Sequence, residues 1–310
     1  MRNAFIKALY SSTTKNKQIC LLTGDLGYTV FEKYQKDFPL NFLNAGVAES
    51  NMVGVAAGLA LSGKIPFVYS TAPFVTLRAF EQIRNDVCLM KANVKIVGVG
   101  AGIAYTHHGP SHHSIEDIGV MRVLPNIVII CPSDPVETEA AVKSAIKHKG
   151  PVYIRLGKKG EPTIHKYPIK FQLGKGITLK TGKNVTLITC GSITQTALEI
   201  ADKLQERGIE TGVVSMHTIK PLDTKLIERV ATESQIVCTI EEHSVIGGLG
   251  SAVSEFLSEN SIQVKFKRFG INDTFCTMLG NHAYMKNYYG LSTEKISNYI
   301  LNWINNESKH

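Results

Sequence analysis

The chain has 310 residues, room for two domains of ordinary size, each with its own core. Hydrophobic residues make up 44% and charged residues 19%, which excludes a disordered chain, and no apolar run approaches a membrane span. The formal charge of +8 rests on scattered lysines with no nucleic-acid signature; Lys158-Lys159 is a rare adjacent pair. Such a basic surface reads first as a solvated face, the alternative being attraction to phosphorylated small molecules or an acidic partner. Met1-Arg2-Asn3-Ala4-Phe5-Ile6-Lys7 has no sustained apolar stretch or cleavage site and does not read as a signal peptide. Cys20, Cys88, Cys131, Cys190, Cys238 and Cys276 lie far apart, several in strand-like runs. They fit buried small hydrophobes in a reducing cytoplasm better than disulfides or zinc ligands.

Strand-like apolar runs alternate with amphipathic stretches, the pattern of parallel α/β sheets. The first half predicts strands at 19–23, 42–44, 67–70, 94–99, 127–131 and 152–155. Helices fit between them at 49–61 and 135–147, the latter opened by Ser133-Asp134-Pro135, a capping residue followed by proline. From Gly157 to Lys183 the periodicity fades, as in a linker or small β excursion. Strands resume at 185–189, 212–216, 236–240 and 264–269, with helices at 194–207 and 248–258. The expected fold is therefore α/β: two domains, 1–160 and 184–310, each a mainly parallel sheet flanked by helices, joined by a linker over 161–183.

The stretch from Asn44 to Ala60, Asn-Ala-Gly-Val-Ala-Glu-Ser-Asn-Met-Val-Gly-Val-Ala-Ala-Gly-Leu-Ala, follows a short strand and opens a helix. The helix dipole accounts for a carboxylate at its start. The flanking Gly and Ala imply close packing, hence a buried Glu49 in need of a partner. This stretch resembles the glutamate motif of the transketolase family of thiamine diphosphate enzymes, with Glu49 on the family's acid. In that family the carboxylate hydrogen-bonds a ring nitrogen of the aminopyrimidine and so activates the cofactor.

Other motifs follow in family order. In Tyr69-Ser70-Thr71-Ala72-Pro73-Phe74, Phe74 matches an aromatic that stacks on the pyrimidine, whereas Thr71 stands where a second aromatic is usual. Core packing is the alternative for Phe74. Gly109-Pro110-Ser111-His112 resembles the family's Gly-Pro-Thr-His, and Ile115-Glu116-Asp117 continues the match. The four histidines of this loop lack the spacing and cysteines of a metal site, and no metal ligand is assigned in this chain. The resemblance places His112 against the donor sugar. His108 replaces an aspartate that contacts a donor hydroxyl, Gly100 replaces a histidine near the sugar phosphate, and Lys158 replaces the phosphate-binding arginine. A lysine holds phosphate as a point charge, without the bidentate fork. Asp25-Leu26 matches the acid facing the thiazolium side, a turn cap being the alternative.

Glu241-Glu242-His243-Ser244-Val245-Ile246-Gly247-Gly248 and Ile219-Lys220-Pro221-Leu222 resemble the family's C-terminal domain, which serves packing and dimerisation. The Gly-Asp-Gly motif that holds diphosphate and metal in full-length relatives is absent from this sequence. The resemblance thus implies a thiamine-diphosphate-binding fold followed by a C-terminal-like domain: one half of a split transketolase. It would move a two-carbon ketol unit from a ketose, as phosphate or modified sugar, to an aldehyde. Thiamine diphosphate, with magnesium or calcium, would be anchored by a separate diphosphate-binding subunit, in a two-plus-two heterotetramer in the cytoplasm. No nucleic-acid or membrane partner is expected. The rivals are a 2-oxoacid dehydrogenase beta subunit, a deoxyxylulose-phosphate synthase-like enzyme and a catalytically silent structural subunit.

Overall fold

The computed structural model describes residues 1–166 and 168–307. Tyr167, inside the expected linker, and residues 308–310, the end of the expected second domain, lie outside the described residues. The chain opens with α1 (Arg2–Lys15), whose Phe5, Ala8, Leu9 and Thr13 are buried at helical spacing. Then follow β1 (Ile19–Thr23), α2 (Glu32–Asp37), β2 (Phe42–Asn44), α3 (Glu49–Leu61) and β3 (Ile65–Thr71). Next, π-helical turns at Phe74–Arg78 and Ile83–Leu89 flank the single turn α4 (Phe80–Gln82). The first half closes with β4 (Lys95–Val99), α5 (Asp117–Arg122), β5 (Val128–Ile130), α6 (Pro135–Lys147) and β6 (Val152–Leu156). At the start of α6, Asp134 Oδ1 accepts from the Glu137 amide at 2.8 Å, so the cap signal in the sequence has its physical partner.

The second half comprises β7 (Ile177–Lys180), β8 (Val185–Thr189), α7 (Thr194–Gln205), β9 (Thr211–Ser215), β10 (Thr218–Lys220) and α8 (Thr224–Glu233). It continues with β11 (Ile236–Ser244), α9 (Leu249–Glu259), β12 (Lys265–Ile271), α10 (His282–Tyr288) and α11 (Thr293–Glu307). The architecture is two mainly parallel sheets flanked by helices. The first has strand order β10-β5-β6-β4-β3-β1-β2 and the second β12-β11-β8-β9-β7. Residues of β1, β4 and β6 are buried throughout, as the core of a sheet covered on both faces requires.

Two strands run against the rest: β7 pairs antiparallel with β9, and β10 pairs antiparallel with β5. Through β10 a segment of the second half becomes an edge strand of the first sheet. One apolar cluster runs across the join, from Met52 and Val53 of α3 to Ile219 on β10 and Leu226 and Ile227 of α8. All six cysteines are buried and unpaired. Among the described residues, no helix is long and apolar enough to cross a membrane.

Candidate active site

The first sheet puts the carboxyl ends of its parallel strands on one side, and there the expected site residues sit. Asp25 follows β1, Glu49 follows β2, Phe74 follows β3, His108 and His112 follow β4, and Lys158 follows β6. The strand order reverses between β1 and β3, the place where open α/β sheets leave a crevice for ligands.

Glu49 is the first residue of α3 and is 1% exposed. Its Oε1 accepts from Ser70 Oγ at 2.9 Å, and its Oε2 accepts from Arg78 Nη1 at 2.8 Å. Ser70 is in β3, and a Cβ at Gly24, just beyond β1, would lie 3.4 Å from Glu49 Oε1 and 3.3 Å from Ser70 Oγ. The absent side chain at Gly24 is what opens the crevice beside the carboxylate. Burial of an acid in so apolar a helix is tolerable because both oxygens have donors.

From Glu49 an unbroken row of side chains crosses the crevice. The Arg78 guanidinium lies 4.5 Å from the Phe74 ring centroid, and the Phe74 and His112 rings are 5.0 Å apart. His112 and His108 are 4.8 Å apart, His108 and Tyr105 5.5 Å, and the Lys158 ammonium lies 4.9 Å from the Tyr105 ring. Ser111 Oγ and His112 Nδ1 are 3.0 Å apart. Burial and then the nearby His108 lower the pKa of His112, which favours its neutral form. Phe74 is half-buried in a π-helical turn, with one side free of the core.

Asp25 is exposed, with φ of 54°, and its Oδ1 accepts from Asn44 Nδ2 and Tyr28 Oη, both at 2.9 Å. These two bonds hold its carboxyl below the usual range. The Asn44 bond ties the end of β1 to the end of β2. Leu26 is half-buried against the Phe31 side of the core.

Three residues of this constellation are not marked out by the sequence: Ser70, Arg78 and Tyr105. Arg78 lies four residues beyond Phe74, a spacing that joins neighbours on a helical turn, and this was its only sequence signal. Tyr105 accounts for a departure from the family pattern. Gly100 has φ of 85°, and a Cβ there would fall 1.9 Å from Tyr105 Cε2. The tyrosine ring fills the space that a side chain at position 100 would need.

The residues present fit the pyrimidine end of thiamine diphosphate: a buried acid, an aromatic face and a glycine gap converge at one crevice. Among the described residues no group of three or more His, Cys, Asp or Glu is placed to hold a metal ion.

Comparison with known proteins agrees with this layout. Residues 1–162 match the model of the transketolase pyrimidine binding domain, and residues 174–296 that of the transketolase C-terminal domain. The chain is 40% identical to a Methanocaldococcus jannaschii protein named as a transketolase C-terminal section, covering 97% of this chain and 95% of that one. It is likewise 40% identical to an apulose-4-phosphate transketolase subunit of Actinobacillus succinogenes, covering 84% of each. A solved structure described as a split gene transketolase, inactive beta4 tetramer, superposes with a TM-score of 0.88 at 43% identity, covering 97% and 96% of the two chains. The chain belongs to the transketolase family, and these relatives are named as a C-terminal section, a subunit and a split-gene product.

Proposed function

We propose that this chain is the pyrimidine-binding subunit of a thiamine diphosphate-dependent transketolase, moving a two-carbon ketol unit from a ketose to an aldehyde. The observation that carries the reading is the buried Glu49 carboxylate at the β1/β3 crevice, with Gly24 opening the space beside it and Phe74 nearby. Bound there, the cofactor would supply a carbon nucleophile for ketol transfer. Glu49 hydrogen-bonds the pyrimidine ring nitrogen, and Ser70 steadies its other oxygen. For this the contact between Arg78 and Oε2 has to open, which its half-exposed side chain permits.

Phe74 offers its ring to the pyrimidine, and Asp25 and Leu26 lie toward the thiazolium side. His112 and His108 meet donor hydroxyls, and Lys158 holds an anionic group of the sugar as a point charge. A relative named for a phosphorylated sugar supports that last role. Residues 1–160 then form the pyrimidine half and 184–310 the C-terminal-like domain, and the 161–183 linker lends β7 (Ile177–Lys180) to the edge of the second sheet. The diphosphate and its magnesium or calcium ion fall to a separate subunit, in a two-plus-two cytoplasmic assembly. Relatives named as a section, a subunit and a split-gene product support that division.

The test is ketol transfer by the chain reconstituted with its partner subunit, thiamine diphosphate and magnesium. Glu49→Ala lowers turnover by roughly 10²–10⁴-fold, the usual contribution of a positioned acid–base group. Undiminished turnover in that variant overturns the mechanism.

A further inference from the structure

Between the two domains lies a cavity of ≈ 230 Å³ with an unusual lining. The segment after β6 contributes Lys158 and Lys159, and α10 contributes His282 and Lys286. The charges around it do not cancel. Glu161 is already paired with the N-terminal ammonium at 2.7 Å. Glu242, 4% exposed, lies 2.9 Å from His282 and raises the pKa of that imidazole, so the protonated ring offsets its charge. Lys286 Nζ donates to a neutral acceptor, Thr196 Oγ1, at 2.9 Å, and the Lys158 ammonium lies against the Tyr105 ring. Among the described residues, three ammonium groups are thus set against one carboxylate, Glu199, whose bonds from Thr293 and Gln195 leave its charge in place. A concave site with surplus positive charge concentrates anions.

We infer that this interdomain cleft binds a small oxyanion-bearing ligand, a phosphate monoester or its sulfonate equivalent, with Lys158, Lys159 and Lys286 as its cationic contacts. Lysines spaced around a cavity suit a tetrahedral oxyanion, which point charges hold from several directions. The cleft also communicates with the catalytic face. Glu242, the partner of His282, accepts from the Ile103 amide at 3.4 Å, in the same loop that carries His108 and His112. The C-terminal-like domain therefore supplies ligand contacts as well as packing. The anion has two possible sources, the far end of a sugar phosphate seated on the histidine row or a separate small metabolite.

The test needs neither cofactor nor partner subunit. Calorimetric titration of the full-length chain with inorganic phosphate at low ionic strength gives saturable binding that weakens as salt rises. Lys286→Met and Lys159→Met each weaken it by about tenfold or more, in line with the loss of a charge-assisted contact, while melting temperature stays unchanged. Absence of saturable binding, or affinity unchanged from the wild-type chain in both variants, overturns the site. Glu49→Ala retains full phosphate affinity, so failure of the ketol-transfer reading and failure of this site are separable. A pentose 5-phosphate distinguishes the sources. Tighter binding than phosphate, weakened by His112→Ala, supports the site with the substrate as the anion's source. Binding equal to phosphate and indifferent to His112→Ala supports the site with a separate metabolite.

Discussion

His217, between β9 and β10, is fully buried with Nδ1 2.9 Å from Thr218 Oγ1, and Nε2 has no partner among the described residues. Phe171 stacks on it at 4.0 Å. Burial pushes its pKa down to about 4, against an opposing pull from Glu137 and with help from the His165 charge. In the unfolded chain the same imidazole titrates near pH 6.5. Between these values the unfolded state binds the extra proton, so stability is lost as pH falls from about 6.5 to about 4, by roughly 3 kcal/mol. Urea denaturation across that range checks this: the pH slope shrinks in His217→Phe, and an equal slope in both proteins removes His217 as the cause. Glu49 was legible as a buried acid because a lone carboxylate in a Gly- and Ala-rich helix stands out against its apolar neighbours. Ser70, Arg78 and Tyr105 were not, because their roles arise from contacts across 21 residues, across 29 residues and across a glycine gap.

Among the elements, α3 is apolar on its outer as well as its inner side. Met52, Val53, Ala56 and Ala57 are buried, yet Val55 and Leu61 are exposed, and a Cβ at Gly54 or Gly58 would meet nothing within 4 Å. A helix that is hydrophobic all round is ordinarily covered all round, and small residues let a second backbone approach closely. Gly58→Ala should therefore stabilise the isolated chain by about 0.5–1 kcal/mol, because it lowers the entropy lost on folding without a clash. Gly58→Lys, equally unhindered in the isolated chain, abolishes assembly with the partner subunit in size-exclusion chromatography. Normal assembly of that variant places the interface elsewhere. The apolar strands β1, β4 and β8 and the first five residues of β11 were plain in the sequence. The π-helical turns after β3 were not, since the apolar positions of Phe74–Leu89 do not reveal the wider turn.

Across the whole molecule the two domains are held together by a buried charge network. Arg155 of β6 is 3% exposed and Asp117 of α5 1%, with Nε and Oδ2 2.8 Å apart. Burial works against the Asp117 charge, but Arg155 and the Tyr153 hydroxyl outweigh it and hold the carboxyl below its usual range. Arg155 Nη2 also donates to the Ser114 carbonyl at 2.7 Å and to the Glu242 carbonyl of the second sheet at 3.0 Å. Removing the cation strands a buried carboxylate, so Arg155→Met costs about 3–5 kcal/mol of unfolding free energy. A loss below about 1 kcal/mol in urea denaturation would show the pair to be dispensable.

The sequence by itself determined the α/β class and the family, because strand periodicity, helix caps and the glutamate and histidine motifs are local properties of the chain. It also marked Glu49, Phe74, His108, His112 and Lys158 as candidates. Only the tertiary structure decided that these five stand in one row across the carboxyl ends of the strands, linked by Arg78 and Tyr105. It also decided that β10 crosses into the first sheet and that Lys158 shares a cleft with Lys286. Those outcomes depend on which distant strands pair and which buried groups meet, and loop closure over scores of residues leaves no periodic trace in the chain.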